Sequence, residues 1–293
     1  FNTTGVQNTA IGDVTLENNT TGSNNTALGY ASMYTNTTGQ SNVSIGSESL
    51  FQNSTGNFNT AIGFQSLRYN NASSNMAVGY RALYNNTTGI YNTANGLQAL
   101  YNNTTGNNNT AIGLNALYNN NADDNTAIGY QALASNTSGT RNIAIGTALF
   151  SNHTGIRNIA IGYLSMNQNS IASANVAVGY ASLQNNSTGE GNVAIGYAAS
   201  AYQTTPNSNT SIGNSALYFN LTGSNNTAIG ATALYNNTAS NNTAVGFEAG
   251  YAGVANSTGS NNIFIGYQAT GVSATDSNRT WIGNSSTTST WLA

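Results

Sequence analysis

The chain has 293 residues, a net charge of −3 and no lysine or cysteine, and only 4% of its residues are charged against about 25% in an ordinary soluble protein. Five scattered arginines, Arg68, Arg81, Arg141, Arg157 and Arg279, cannot neutralise a run of phosphates, which argues against nucleic acid or an anionic membrane surface as partner. Without cysteine there is no disulfide framework and no thiol nucleophile.

No apolar run approaches the roughly 18 residues of a membrane-spanning helix, and the opening residues are not expected to be a charged-then-apolar leader. The chain opens inside a repeat and without Met, so it is expected to be a processed or excised part of a longer, exported protein.

The first element is Asn8-Thr9-Ala10-Ile11-Gly12, and it returns down the chain. Its closing glycine recurs at Gly12, Gly29, Gly46, Gly63, Gly79, Gly96, Gly113 and onward to Gly283, at steps of 17 residues, four of 16 and one of 20. A unit repeated at this length is one coil of a stack. The predicted fold is therefore all-β: a parallel β-roll or β-solenoid of about 17 coils over residues 1–275, with an irregular C-terminal coil or cap at 276–293. At about 4.8 Å per coil it would extend on the order of 80 Å.

Within the unit closed by Gly113, two runs suit strands, Asn109 to Gly113 and Gln98 to Tyr101, each bounded by Asn, Thr and Gly. Alternation puts Thr110 and Ile112 on one face and Ala111 on the other. The residue before the glycine is Ile, Leu or Val in 16 of 17 units, Asn95 being the exception. The inner wall is accordingly assigned to that column, including Ile11, Ile45, Ile62, Ile112 and Ile128. The opposing wall is Leu or Met four residues after the glycine, as at Leu16, Met33, Leu50 and Leu100.

An outward column of small residues then runs through Ala10, Ala27, Ala61, Ala77, Ala111, Ala127 and Ala144. An outward aromatic column runs through Tyr34, Phe51, Tyr84, Tyr101, Tyr118, Tyr218 and Tyr235. Each coil buries only a few apolar side chains at roughly 1.5–3 kcal/mol each, against a backbone entropy cost of about 1–2 kcal/mol per residue. Association of copies through the aromatic column is expected to supply the difference.

Four residues before the glycine stands an asparagine in 16 of 17 units, among them Asn8, Asn25, Asn42, Asn59, Asn92, Asn109 and Asn125. Stacked at one coil spacing, these amides can form a ladder or serve the turn, and the two roles are compatible. The following Asn-Asn-Thr-Thr-Gly segment is a turn. In three of the 16-residue units Thr-Gly is lost, as at Asn71-Ala72-Ser73-Ser74, which predicts a tighter turn. An insertion at Gly250 to Val254 reads as a bulged loop.

At Asn125 to Leu133 the motif Asn-Thr-Ala-Ile-Gly-Tyr followed by Ala-Leu resembles the head repeats of trimeric autotransporter adhesins and similar repeats of bacterial surface fibres and phage tail fibres. Trp281-Ile282-Gly283-Asn284-Ser285-Ser286 is similar to the segment that often precedes an intramolecular chaperone in such proteins. The resemblance implies a left-handed roll, an intertwined or side-by-side homotrimer and an extracellular stalk or adhesive head. The unit here is longer than the usual adhesin repeat, and neither a coiled-coil stalk nor an anchor is seen.

Candidate chemistry is thin. The single histidine, His153, lies in a turn with no acid placed to orient it. Asp123 and Asp124 are adjacent but lack the repeated glycine-aspartate pattern of calcium-binding rolls. Glu17, Glu48, Glu190 and Glu248 fall at different points of the unit, against a paired acid and base. No catalytic residue, metal or cofactor is expected. Asn36, Asn86, Asn103, Asn186 and Asn256 begin Asn-x-Ser/Thr triplets and are candidate glycosylation sites.

The expected role is a non-enzymatic extracellular fibre or adhesin segment, its partner further copies of itself in a homotrimer or longer filament. Alternatives are a phage or virion tail-fibre shaft and an ice- or glycan-binding solenoid. An inward-facing Thr column would count against ice binding.

Overall fold

The computed structural model describes residues 2–251, 258–271 and 273–287. They divide into two compact units, residues 1–145 and 146–293. The first holds strands β1 (Thr9–Ile11) to β9 (Ile143–Ile145), and the second β10 (Ile159–Ile161) to β17 (Thr280–Ile282). Each strand is three residues long, because polar turn formers bound the Thr-Ala-Ile core on both sides.

Each unit is a parallel β-solenoid. Equivalent residues of successive coils pair in register, Thr110 with Thr126, Ala111 with Ala127 and Ile112 with Ile128 in the first unit. In the second, Thr210 pairs with Thr227 and Ile212 with Ile229. The parallel solenoid and its repeat agree with the sequence reading. The last strand, inside the expected cap, keeps this register, with Trp281 opposite Phe264.

The second expected strand does not form. From Gln98 to Tyr101 the chain makes tight turns, with Gln98 at φ 55° and Leu100 at φ 53°. Ala99 N–H donates to Gly96 O at 3.4 Å and Asn103 N–H to Leu100 O at 3.2 Å. Holding a side-chain-bearing residue left-handed costs about 1–2 kcal/mol. Bonds to both neighbouring coils offset that cost: Gln98 N–H to Tyr80 O at 2.9 Å, and Leu100 N–H to Ala116 O at 3.0 Å.

These turns make the coil narrow, and the narrowness reverses the predicted faces. In the first unit Ala27, Ala61, Ala77, Ala111, Ala127 and Ala144 are completely buried. Ile62, Ile112 and Ile128 point outward, 37–38% exposed, Ile11 is 60% exposed and Ile45 is half-buried. The outward small column is thus the inner wall, and the isoleucine ladder is the outer one. Leucine after the glycine does point inward, as at Leu50, Leu67 and Leu100. Ala99 beside Leu100 is also buried, because left-handed residues break the two-residue alternation of a strand.

Inside so small a section the volumes compensate. In the second unit Phe264 replaces the usual alanine, and Gly250 stands where leucine belongs. A Cβ on Gly250 would lie 2.6 Å from Leu234 and 3.0 Å from Phe264. Of the predicted bulge at Gly250 to Val254, the part beyond Tyr251 lies outside the described residues.

The shortened coils tighten as expected, and side chains replace the lost carbonyl. In a full coil Thr37, Thr38 and Gly39 all donate N–H to Ser54 O. Where the next coil is short, Ser54 and Thr55 N–H donate to Asn71 Oδ1 instead, at 3.0 and 2.9 Å.

Gly113 sits at φ +129°, and a Cβ there would meet Gly129 O at 2.5 Å. Gly191, at φ +67°, has its nearest such neighbour 3.7 Å away. Gly113→Ala is expected to cost more than about 2 kcal/mol, from left-handed strain plus backbone overlap. Gly191→Asn should change stability by less than about 0.5 kcal/mol, since asparagine tolerates this region. Urea unfolding of both variants measures the difference.

Candidate interaction surfaces

Two asparagine columns run through each unit and are spent on the stack. In the first column Asn25 is fully buried. Its N–H donates to Asn8 Oδ1 at 2.9 Å, and its Nδ2 donates to Gly39 O at 2.8 Å. Asn42, Asn59, Asn92, Asn109 and Asn125 repeat the scheme. The predicted ladder exists, but its recurrent rung is backbone N–H to side-chain oxygen. Direct amide-to-amide bonds, such as Asn109 Nδ2 to Asn92 Oδ1 at 3.1 Å, supplement it.

The second column was not recognised as a ladder from sequence, and it holds most of the candidate glycosylation sites. Asn36, Asn86, Asn103 and Asn186 are each completely buried. Asn103 Nδ2 donates to Asn86 Oδ1 at 2.9 Å and to Gly106 O at 3.0 Å. These amides have no room for a sugar in the folded coil, which removes the four as glycosylation sites. Asn256 lies outside the described residues. The missed signal was the fixed spacing of this asparagine to the turn glycine three residues on.

The aromatic column is half-buried and stacked upon itself. Tyr84, Tyr101 and Tyr118 lie 5.1 and 5.2 Å apart with planes 3° from parallel. Tyr34 stacks on Phe51 at 5.3 Å, and Tyr218 on Tyr235 at 5.1 Å. Ring faces therefore meet neighbouring coils and only edges reach solvent. Burial and a hydrogen bond with Tyr202 push the Tyr218 phenol up to about 12.

Further exposed apolar surface lies elsewhere, on the outer side of the strands. There the columns three before, one before and one after the repeat glycine stand side by side. In the first unit they include Met76 46%, Tyr80 42%, Leu97 43% and Tyr130 56% exposed. In the second, Tyr163 and Tyr197 are each 56% exposed and Ile265 43%. The aromatic column directly after the glycine was not singled out from sequence, although Phe64 and Tyr80 show it at one-coil spacing and Tyr30 two coils before Phe64.

Charged contacts are local. Glu48 Oε2 accepts from Gln65 Nε2 at 2.8 Å and from Arg68 Nε at 2.7 Å. The Arg68 guanidinium lies 5.1 Å from the Phe51 ring centre and also hydrogen-bonds the Tyr69 hydroxyl. Glu48 and Glu248 share the second position after the glycine, contrary to the reading that the glutamates differ in position. They belong to different units, and Glu248 accepts from Gln268 at 2.6 Å.

Asp123 Oδ1 accepts the Asn107 N–H at 2.7 Å. Asp124 lies 3.8 Å from Arg141 Nε. His153 is exposed, and its N–H donates to Ser170 O at 3.0 Å. Among the described residues no three His, Cys, Asp or Glu side chains gather as a metal site. Comparison with known protein families, curated proteins and solved structures gives no match.

Asn109→Ala removes the acceptor of Asn125 N–H and the donor to Ala122 O, 3.0 and 2.8 Å away. Two buried groups left unpaired should cost roughly 2–5 kcal/mol. The exposed Asn119→Ala is expected to cost about 0.5 kcal/mol or less. Paired denaturant titrations read the contrast.

The Gln65 hydrogen bond, opposed by partial burial and aided by Arg68, holds the Glu48 carboxyl below its ordinary value of 4.5. A carboxyl depressed in the folded state stabilises it fully above the unfolded value, and that contribution is lost as pH falls through the folded one. Melting temperature should drop below about pH 4.5 with a step that Glu48→Gln removes. Melting curves from pH 7 to 3 on both proteins would show it, and equal steps would disprove the assignment.

Proposed function

We propose that the chain is a non-enzymatic structural or adhesive segment of an extracellular fibre, displayed on a cell surface or, as a tail-fibre shaft, on a virion. Its partners are further copies of itself, most simply in a homotrimer. The observation that carries this reading is the use of the polar side chains. Both asparagine columns are consumed in tying coil to coil. A chain whose recurrent polar groups serve the stack is suited to bearing load and display. In an antibody test, decoration of intact source cells or virions is expected; labelling only after lysis would overturn the placement.

A second reading is supported by one reversal. The Thr column expected to face inward lies on the outer side of the strands, with Thr26 exposed and Thr60, Thr93, Thr110 and Thr126 half-buried. Hydroxyls repeated at about 4.8 Å can order surface water. Ice binding would show as thermal hysteresis and faceted ice crystals; freezing and melting at one temperature would exclude it. The tyrosine stacks lend less to glycan binding, since their ring faces are already covered.

A further inference from the structure

Two mainly apolar columns, one before and one after the repeat glycine, run along the outer side of the strands in each unit, beside a column that in the first unit is threonine in six of nine coils (Thr9, Thr26, Thr60, Thr93, Thr110 and Thr126); each column repeats at one coil spacing. In the first unit Leu28, Ile62, Ile112 and Ile128 form the middle column and Tyr80 and Tyr130 its aromatic neighbour, all 37–56% exposed. Asp13 is the one charge in these columns of the first unit. We propose that this strand face is where another copy of the same chain docks. The proposal rests on the self-association in the reading above and names its surface, which differs from the Tyr34 to Tyr235 column inferred from sequence.

Pitch selects the occupant. Side-chain ridges recur at about 4.8 Å along the stack, with grooves of the same period between them. A partner can interdigitate over many coils only if its own surface has that period, and a second copy has it by construction. An irregular globular surface would match one or two ridges and lose register.

Area agrees. Nine strands about 4.8 Å apart, with the three columns spanning about 13 Å along each strand, make a face of about 550 Å² in the first unit. Pairing that face with its counterpart would cover about 1,100 Å² in all, near the 1,200 Å² lower bound for stable interfaces. The Tyr84, Tyr101 and Tyr118 stack offers a partner less, because its ring faces are covered by one another.

Light scattering on the full chain tests the proposal. The wild type is expected at a multiple of 30.2 kDa, about 90 kDa if trimeric. Ile112→Asp with Ile128→Asp should raise the subunit dissociation constant at least about 100-fold, as loss of central interface contacts does. Tyr101→Ser should leave it within about threefold. An oligomer that survives the paired Asp substitutions would overturn this face while leaving self-association standing. A 30.2 kDa wild type would overturn both the face and the assembly, leaving surface display to the antibody test.

Ile128→Cys guards against misfolding of the Asp variant, since the chain has no other cysteine. A short bis-maleimide is expected to join two copies of it, and failure to cross-link an oligomeric Ile128→Cys protein would count equally against the face.

Discussion

Identical residues meet at one strand spacing, and the rest of the structure follows from that constraint. In-register parallel coils place Thr on Thr, Ala on Ala and Asn on Asn along each unit. A residue type is therefore tolerated only if it can neighbour itself. Asparagine can, because its oxygen accepts from the coil after it while its amide donates to a turn carbonyl. Aromatic rings can, by stacking at about 5 Å. Alanine can, because it leaves space for the leucine opposite.

The interior is held together by small volumes and dense hydrogen bonding, with the buried Oδ1 atoms of Asn169 and Asn186 left without a partner. Where serine replaces alanine it brings a partner: Ser44 Oγ donates to Ser49 O at 3.0 Å, and Ser200 Oγ donates to Ser211 Oγ at 2.9 Å. Where a larger residue enters, its neighbour shrinks, as with Phe264 and Gly250. A paired hydroxyl avoids the cost of about 1–3 kcal/mol for a buried unsatisfied group. Substitutions therefore come as matched sets across the coil.

This explains what could be read in advance. Period, parallel stacking, the inward leucine and the first asparagine ladder depend only on self-similarity, which the repeat of Gly12 to Gly283 displays openly. The faces of the strand did not follow, because hydrophobicity ranks Ile112 above Ala111 and so places isoleucine inside. What decides is the coil's width, set by left-handed turns at Gln98 and Leu100. Neither residue is glycine, so local propensity gives no hint of positive φ. The buried state of Asn103 was hidden for a related reason: its triplet resembles a modification site, whereas its amide is held by Gly106 and Asn86.

The same constraint accounts for the scarcity of charge. Two like unit charges about 4.8 Å apart repel by about 0.9 kcal/mol even in bulk water, and several times more beside a protein wall. A charged column would accumulate that cost at every coil. Where charges occur on the outer corner after the glycine, neutral or opposite groups separate them. Glu48 is followed by Gln65 and then Arg81, and Gln65 bridges them by donating to the carboxylate at 2.8 Å and accepting from Arg81 Nε at 2.7 Å. Asp124 is followed in its column by Arg141. A chain that stacks every residue on its own kind must be neutral along most columns, so its turns face water through Asn and Thr. Apolar residues left on the strand face then have few charges of their own to repel another copy.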